Sequence, residues 1–157
     1  MVAGDTAMVN EILKVKSQMD SGMFKAMQIA AIGALSEGPE WFEALNAEYR
    51  RRRVVAGRIF DALGVAYNPD STGLFLWGKV SRPVVRQAHQ PENQAHQPEM
   101  TVGEQLSEAI LHGTGVFITP GFVFGKNGSD YVRISLCAPV PTLEEGLGRI
   151  KEFLGNC

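Results

Sequence analysis

Apolar residues recur along this chain at two spacings, and the change from one to the other separates its helices from its strands. Over residues 6–19 the positions Met8, Ile12, Val15 and Met19 recur at steps of three and four, which marks one face of a helix. Asp5 or Thr6 stands where a capping oxygen is needed. Asp20, Ser21 and Gly22 break the pattern. A second helix is predicted over residues 24–35, apolar or small on nearly every side (Met27, Ile29, Ala30, Ala31, Ile32, Ala34), and such a helix calls for burial on several sides. The longest helix opens at Gly38-Pro39, with proline in the tolerated first turn, and Gly64 closes it as a left-handed cap. Its stripe of Trp41, Leu45, Tyr49, Ala56, Ile59 or Phe60, and Leu63 is expected to face the core.

Past Gly64 the spacing falls to two. Residues 65–67 and 74–80 read as strands around the turn 68–73 and should form a hairpin. The run 74–80 is apolar at nearly every position and is expected to pair with residues 131–137 in the sheet centre. Those residues alternate strictly, with Val132, Ile134 and Leu136 on one side and Tyr131, Arg133, Ser135 and Cys137 on the other. Thr101 and Glu104 make a capping box for a helix that carries Leu106, Ala109 and Ile110 and is stopped at Gly113. Val116, Phe117 and Ile118 read as a short strand leading to a Pro120-Gly121 turn. Thr142 and Glu145, after Pro141, make a second capping box, and Leu143, Leu147, Ile150 and Leu154 pack the last helix. The expected fold is α+β in two layers: an antiparallel sheet of three or four strands covered on one face by helices and preceded by two further helices.

A length of 157 residues suits one compact domain, large enough to bury about 68–70% of its unfolded surface. Fifteen basic against 17 acidic residues leave a net charge of −2, so no electrostatic footprint for nucleic acid or an anionic membrane dominates. The run Arg50 to Arg53 does not change this, because four consecutive helical residues point in more than one full turn of directions. With Glu43 and Glu48 nearby it reads as a solvated helix surface. Two cysteines, Cys137 and Cys157, have neither metal-ligand spacing nor the pattern of a disulfide framework, which favours a reducing, cytoplasmic setting. No signal-peptide pattern and no run of about 20 apolar residues occurs, so neither secretion nor membrane spanning is expected.

Gln87-Ala88-His89-Gln90-Pro91-Glu92 recurs, after Asn93, as residues 94–99. Two copies cannot stack into a solenoid, and the absence of apolar periodicity reads as an extended or disordered loop. His89 and His96 could share a metal, but no third ligand has a fixed position, so no metal site is expected.

Arg133 is held opposite the apolar face of its strand. From the strand alone it reads either as an internal ion pair or solvated residue, or as a planar fork for a carboxylate. The longer stretch Val116-Phe117-Ile118-Thr119-Pro120-Gly121-Phe122-Val123-Phe124-Gly125, with Tyr131-Val132-Arg133-Ile134-Ser135, resembles the C-terminal signature of class I/II aminotransferases, the pyridoxal-phosphate enzymes of fold type I. The resemblance continues over residues 1–80 and 101–154. It implies that residues 1–37 are helices leading to a large domain, and that residues 38–157 are the small C-terminal domain with a repeat-containing insertion at 81–100. It also implies that Arg133 binds the α-carboxylate of an amino or 2-oxo acid, with Phe122 and Phe124 as pocket lining or as ordinary core aromatics.

In that family the cofactor lysine lies in a Ser-x-Ser-Lys context. None of the six lysines (14, 16, 25, 79, 126 and 151) has such a context, so the resemblance implies no catalytic residue within this chain and no stable hold on the cofactor by it alone. It implies a homodimer for the whole enzyme, with the second helix near the dimer interface. The alternatives are a carboxylate-binding or dimerisation module without chemistry, and a nonfunctional gene remnant. Neither amino donor nor acceptor is identified.

Overall fold

The computed structural model describes residues 2–81 and 100–155. In order, its elements are α1 (Thr6–Met19), α2 (Lys25–Leu35), α3 (Pro39–Ala62), β1 (Val65–Tyr67), β2 (Phe75–Val80), α4 (Val102–Thr114), β3 (Thr119–Pro120), β4 (Tyr131–Ser135) and α5 (Val140–Gly155). Short 3-10 turns occupy Gly121–Phe124 and Lys126–Gly128. The chain divides into two compact units, Met1–Glu43 and Ala44–Cys157. The heptapeptide repeat, with His89 and His96, lies outside the described residues, as does Cys157.

In the first unit Asp5 is the cap: its carboxylate accepts from the backbone N–H of Ala7 and Met8 at 3.0 and 3.2 Å. Asp20 ends α1, pairing with Lys16 and accepting from the Gly22 N–H. The Lys16 hydrogen bond, with help from Gly22, holds the Asp20 carboxyl below its ordinary pKa. No residue of α1 or α2 is buried. The stripe of Met8, Ile12, Val15 and Met19 therefore forms as a helical face but is exposed, and so are Met27, Ile29 and Ile32 on α2.

The second unit is an α+β fold. Its four strands pair antiparallel in the order β1-β2-β4-β3, which puts β2 and β4 in the centre. The predicted hairpin is present, with Val65 opposite Val80 and Tyr67 opposite Gly78. Alternation places Leu76, Gly78 and Val80 of β2 and Val132 and Ile134 of β4 on one face, all buried. Helices supply Val55, Ala56, Ile59, Phe60, Leu106, Ile110, Leu143, Leu147 and Ile150 to the same core, and Leu63 joins them from the turn after α3; each large apolar side chain buried there contributes about 1.5–3 kcal/mol. Gly78 is required where it stands: a Cβ would collide with the Phe60 ring and with Val65. Gly103 similarly lets the start of α4 sit against the sheet, its N–H donating to the Ser129 carbonyl at 3.0 Å.

Several expected details differ. The third strand is Thr119–Pro120 rather than residues 116–118, and just before it the Ile118 carbonyl accepts from the buried Ser107 hydroxyl of α4. The capping box of Thr101 and Glu104 forms, but α4 ends at Gly115, with φ +71°, while Gly113 makes room for the Phe153 ring. The last helix starts at Val140, with Pro141 inside its first turn, so Thr142 is not its cap. The arginine run is not simply solvated. Arg51 and Arg52 both pair with Glu48, and Arg52 also donates to the carbonyls of Leu136 and Cys137 at 3.1 and 3.2 Å. Arg53 donates to the Gly73 carbonyl at 2.9 Å. Two of the four arginines thus tie α3 to loops at the strand ends.

Candidate functional site

The sheet face away from the helices carries the side chains that alternation leaves over. On it lie Phe75, Trp77 and Lys79 of β2, and Tyr131, Arg133 and Ser135 of β4. Register brings them into pairs: Trp77 is directly opposite Arg133, Phe75 opposite Ser135, Lys79 opposite Tyr131, and Thr119 of β3 flanks Arg133 on its other side. Arg133 therefore sits in the middle of the sheet, on a strand paired along both edges.

Its guanidinium is flanked by two aromatic rings. The Cζ atom lies 4.1 Å from the Phe75 ring centroid and 4.0 Å from that of Phe124. Trp77 packs edge-on against Phe124 at 5.4 Å and against Tyr131 at 6.2 Å, closing an aromatic frame around the cation. Rings in that position attract a guanidinium through their quadrupole and restrict its plane. Among the described residues no carboxylate pairs with Arg133, and its Nε is buried without a hydrogen-bond partner. An unneutralised, oriented guanidinium on a rigid strand is chemically suited to accept a planar anion with two hydrogen bonds.

Phe124 is delivered by the segment between β3 and β4. Pro120 ends β3, and the 3-10 turn Gly121–Phe124 follows, closing on Gly125, whose φ of +121° favours glycine. Gly121 and Gly128 touch backbone to backbone, and a Cβ on either would strike the other. The two glycines hold the turn shut, and the ring at its end reaches the guanidinium.

The residues present do not make a complete site for pyridoxal phosphate. A lysine that forms an aldimine is activated by desolvation or a neighbouring cation, whereas all six lysines are exposed. Lys14 and Lys16 pair with Glu11 and Asp20, and Lys79 lies 5.9 Å from the Tyr131 ring. Among the described residues no group of three His, Cys, Asp or Glu side chains could hold a metal ion, and no helix is long and apolar enough to cross a membrane.

Of the residues singled out in the sequence, Arg133 and Phe124 are brought together, while Phe122 is exposed and stands outside the ring-and-guanidinium cluster. Phe75 and Trp77 were not anticipated. The run 74–80 reads as buried on both sides, yet its burial alternates, with Phe75, Trp77 and Lys79 open. Lys79 was the available signal, since a lysine in phase with Phe75 and Trp77 marks that side as the wet one.

No family model matches the chain. The LL-diaminopimelate aminotransferase of Nitratidesulfovibrio vulgaris (strain Miyazaki F) is 34% identical over 150 residues, covering 96% of this chain and 34% of that protein. Among solved structures, substrate-bound BacF from Bacillus subtilis is 26% identical with a TM-score of 0.68, over 96% of this chain and 34% of its own. An aromatic aminotransferase from Pyrococcus horikoshii is also 26% identical, with a TM-score of 0.59, over 82% of this chain and 31% of its own. The chain thus spans about a third of the length of the curated relatives it matches.

Proposed function

This chain is related to the aminotransferases over nearly its whole length and corresponds to their C-terminal portion, and from that premise we propose that it serves a pyridoxal-phosphate-dependent transfer of an amino group between an amino acid and a 2-oxo acid. Its own part is to bind and orient: Arg133 grips the substrate α-carboxylate. The observation that carries this reading is the guanidinium on a central strand, framed by Phe75, Phe124 and Trp77 and without a carboxylate partner among the described residues. Holding the carboxylate fixes the substrate's Cα relative to groups supplied outside these residues, and such positioning can be worth several kcal/mol of barrier. An α-carboxylate is common to every amino acid, so this contact does not select a side chain.

The domain division follows the same reading, with residues 38–157 as the small domain and residues 1–37 leading to a large one. The exposed apolar faces of α1 and α2 support a homodimer, or a covering domain, as their partner. They equally favour the second reading, a dimerisation or carboxylate-binding module without chemistry. A cytoplasmic setting fits both. The two separate by experiment: the large domain of the Nitratidesulfovibrio relative, fused ahead of Met1, should yield an enzyme that moves an amino group to a 2-oxo acid and loses that activity with Arg133→Ala. A soluble, folded fusion that binds the cofactor but transfers nothing favours the module.

A further inference from the structure

The segment between β3 and β4 carries a reactive dipeptide. The chain has six asparagines, followed in turn by Glu11, Ala47, Pro69, Gln94, Gly128 and Cys157, so only Asn127 precedes a glycine. A glycine has no Cβ to shield its main-chain nitrogen, and that nitrogen can attack the side-chain carbon of the asparagine before it. Asn127 is exposed and lies in the 3-10 turn Lys126–Gly128, so water reaches its amide. The same turn restrains the reaction. The Gly128 N–H donates to the Gly125 carbonyl at 2.9 Å, and the Gly128 backbone lies against that of Gly121. Ser129 is anchored on both sides: its N–H donates to the Lys126 carbonyl at 3.3 Å, and its carbonyl accepts from the Gly103 N–H of α4 at 3.0 Å.

We infer that Asn127 is a site of spontaneous deamidation gated by the opening of its turn, and that the isoaspartate it yields does not fit back into that turn. The Gly128 nitrogen bonds to Asn127 Cγ, the Cγ–Nδ2 bond breaks, and ammonia leaves with the proton of the Gly128 amide. Water then opens the cyclic imide. Attack at Cγ gives aspartate on a normal backbone, whereas attack at the main-chain carbonyl carbon gives isoaspartate, and nothing is oxidised or reduced. In the closed turn the Gly128 N–H is engaged with the Gly125 carbonyl, so ring closure waits for that hydrogen bond to break. Isoaspartate routes the chain through Cβ and Cγ and so adds a methylene next to Gly128, where even a Cβ would strike the Gly121 backbone. Gly121 begins the turn Gly121–Phe124. The displacement therefore reaches Phe124, whose ring packs on Trp77 at 5.4 Å.

The 157-residue chain tests this when aged in mildly alkaline buffer, folded or in urea, and then digested. Mass spectrometry of the peptides reads the gain produced when an amide NH2 is replaced by OH. Asn127 should be the first asparagine to convert, and it should convert at least about threefold more slowly in the folded chain than in urea, the protection given by one ordinary hydrogen bond. The isoaspartyl chain, isolated by chromatography, should unfold at lower urea and show a shifted Trp77 indole resonance, identified by its absence in Trp77→Phe. Asn127→Asp places the same charge on a normal backbone and should keep the parental midpoint and resonance.

Earlier conversion of another asparagine, or none at Asn127, overturns the site. Equal rates in the folded chain and in urea overturn the gating. An isoaspartyl chain with parental midpoint and indole resonance overturns the structural consequence, and changes of equal size in Asn127→Asp assign the effect to charge and refute the backbone argument.

Discussion

Arg133→Ala has two effects that the geometry predicts separately. If Arg133 grips the substrate carboxylate in the fused enzyme, removing the guanidinium would leave that charge unpaired, a loss of about 2–5 kcal/mol, or about 30-fold to 5,000-fold in kcat/KM. For folding, the same change removes two ring–cation contacts, at 4.1 and 4.0 Å, worth about 0.5–1 kcal/mol each where partly exposed. It also removes a buried N–H without a partner, whose burial costs about 1–3 kcal/mol. These terms oppose each other, so the 157-residue chain should lose no more than about 1 kcal/mol of stability. Arg133→Lys keeps the charge and loses the planar fork, so it should recover only part of kcat/KM. The assays are steady-state kinetics with several amino donors, across which the loss should be similar, and urea unfolding of the chain alone. An unchanged kcat/KM, or nearly full recovery by lysine, would refute the bidentate grip. A stability loss well above 1 kcal/mol in Arg133→Ala would return the residue to a structural role.

Gly128→Ala should destabilise the chain by about 1–3 kcal/mol, because its Cβ meets the Gly121 backbone rather than a flexible side chain; urea unfolding measures this, and a neutral outcome would show that the turn yields. Tyr67 should titrate above an ordinary tyrosine, since burial disfavours its phenolate and Asp61 repels it. A raised folded pKa means that its stabilisation is complete below the unfolded value and is lost as pH rises through the folded one. Stability should therefore fall in alkaline solution less steeply in Tyr67→Phe than in the parent, as followed by urea midpoints across that range.

Much of this arrangement was legible because it depends on local periodicity. The alternation of residues 131–137 put Arg133 on the face away from the core, and the hairpin and the Thr101 capping box needed only neighbouring residues. What escaped depends on contacts distant in sequence. Phe75 meets Arg133 only because β2 and β4 pair in one register, and a run apolar on both faces hides which side is wet. Gly113 and Gly115 are equally plausible stops by type, and a left-handed backbone decides for Gly115 while a ring from α5 occupies the space beside Gly113. Ser107 looks like an ordinary helix-surface serine until its hydroxyl is found on the Ile118 carbonyl, which ties α4 to the segment just before the edge strand.

The exposed helices of the first unit, with the link between them, carry a built-in chemical reporter. Met8, Met19, Met23 and Met27 are exposed by 70, 77, 57 and 60%, and accessible thioethers are oxidised to sulfoxides that add one oxygen each to the mass. A brief pulse of peroxide followed by mass spectrometry of peptides would therefore record, methionine by methionine, which part of this surface becomes shielded when the chain meets a second domain, a second copy or any other partner.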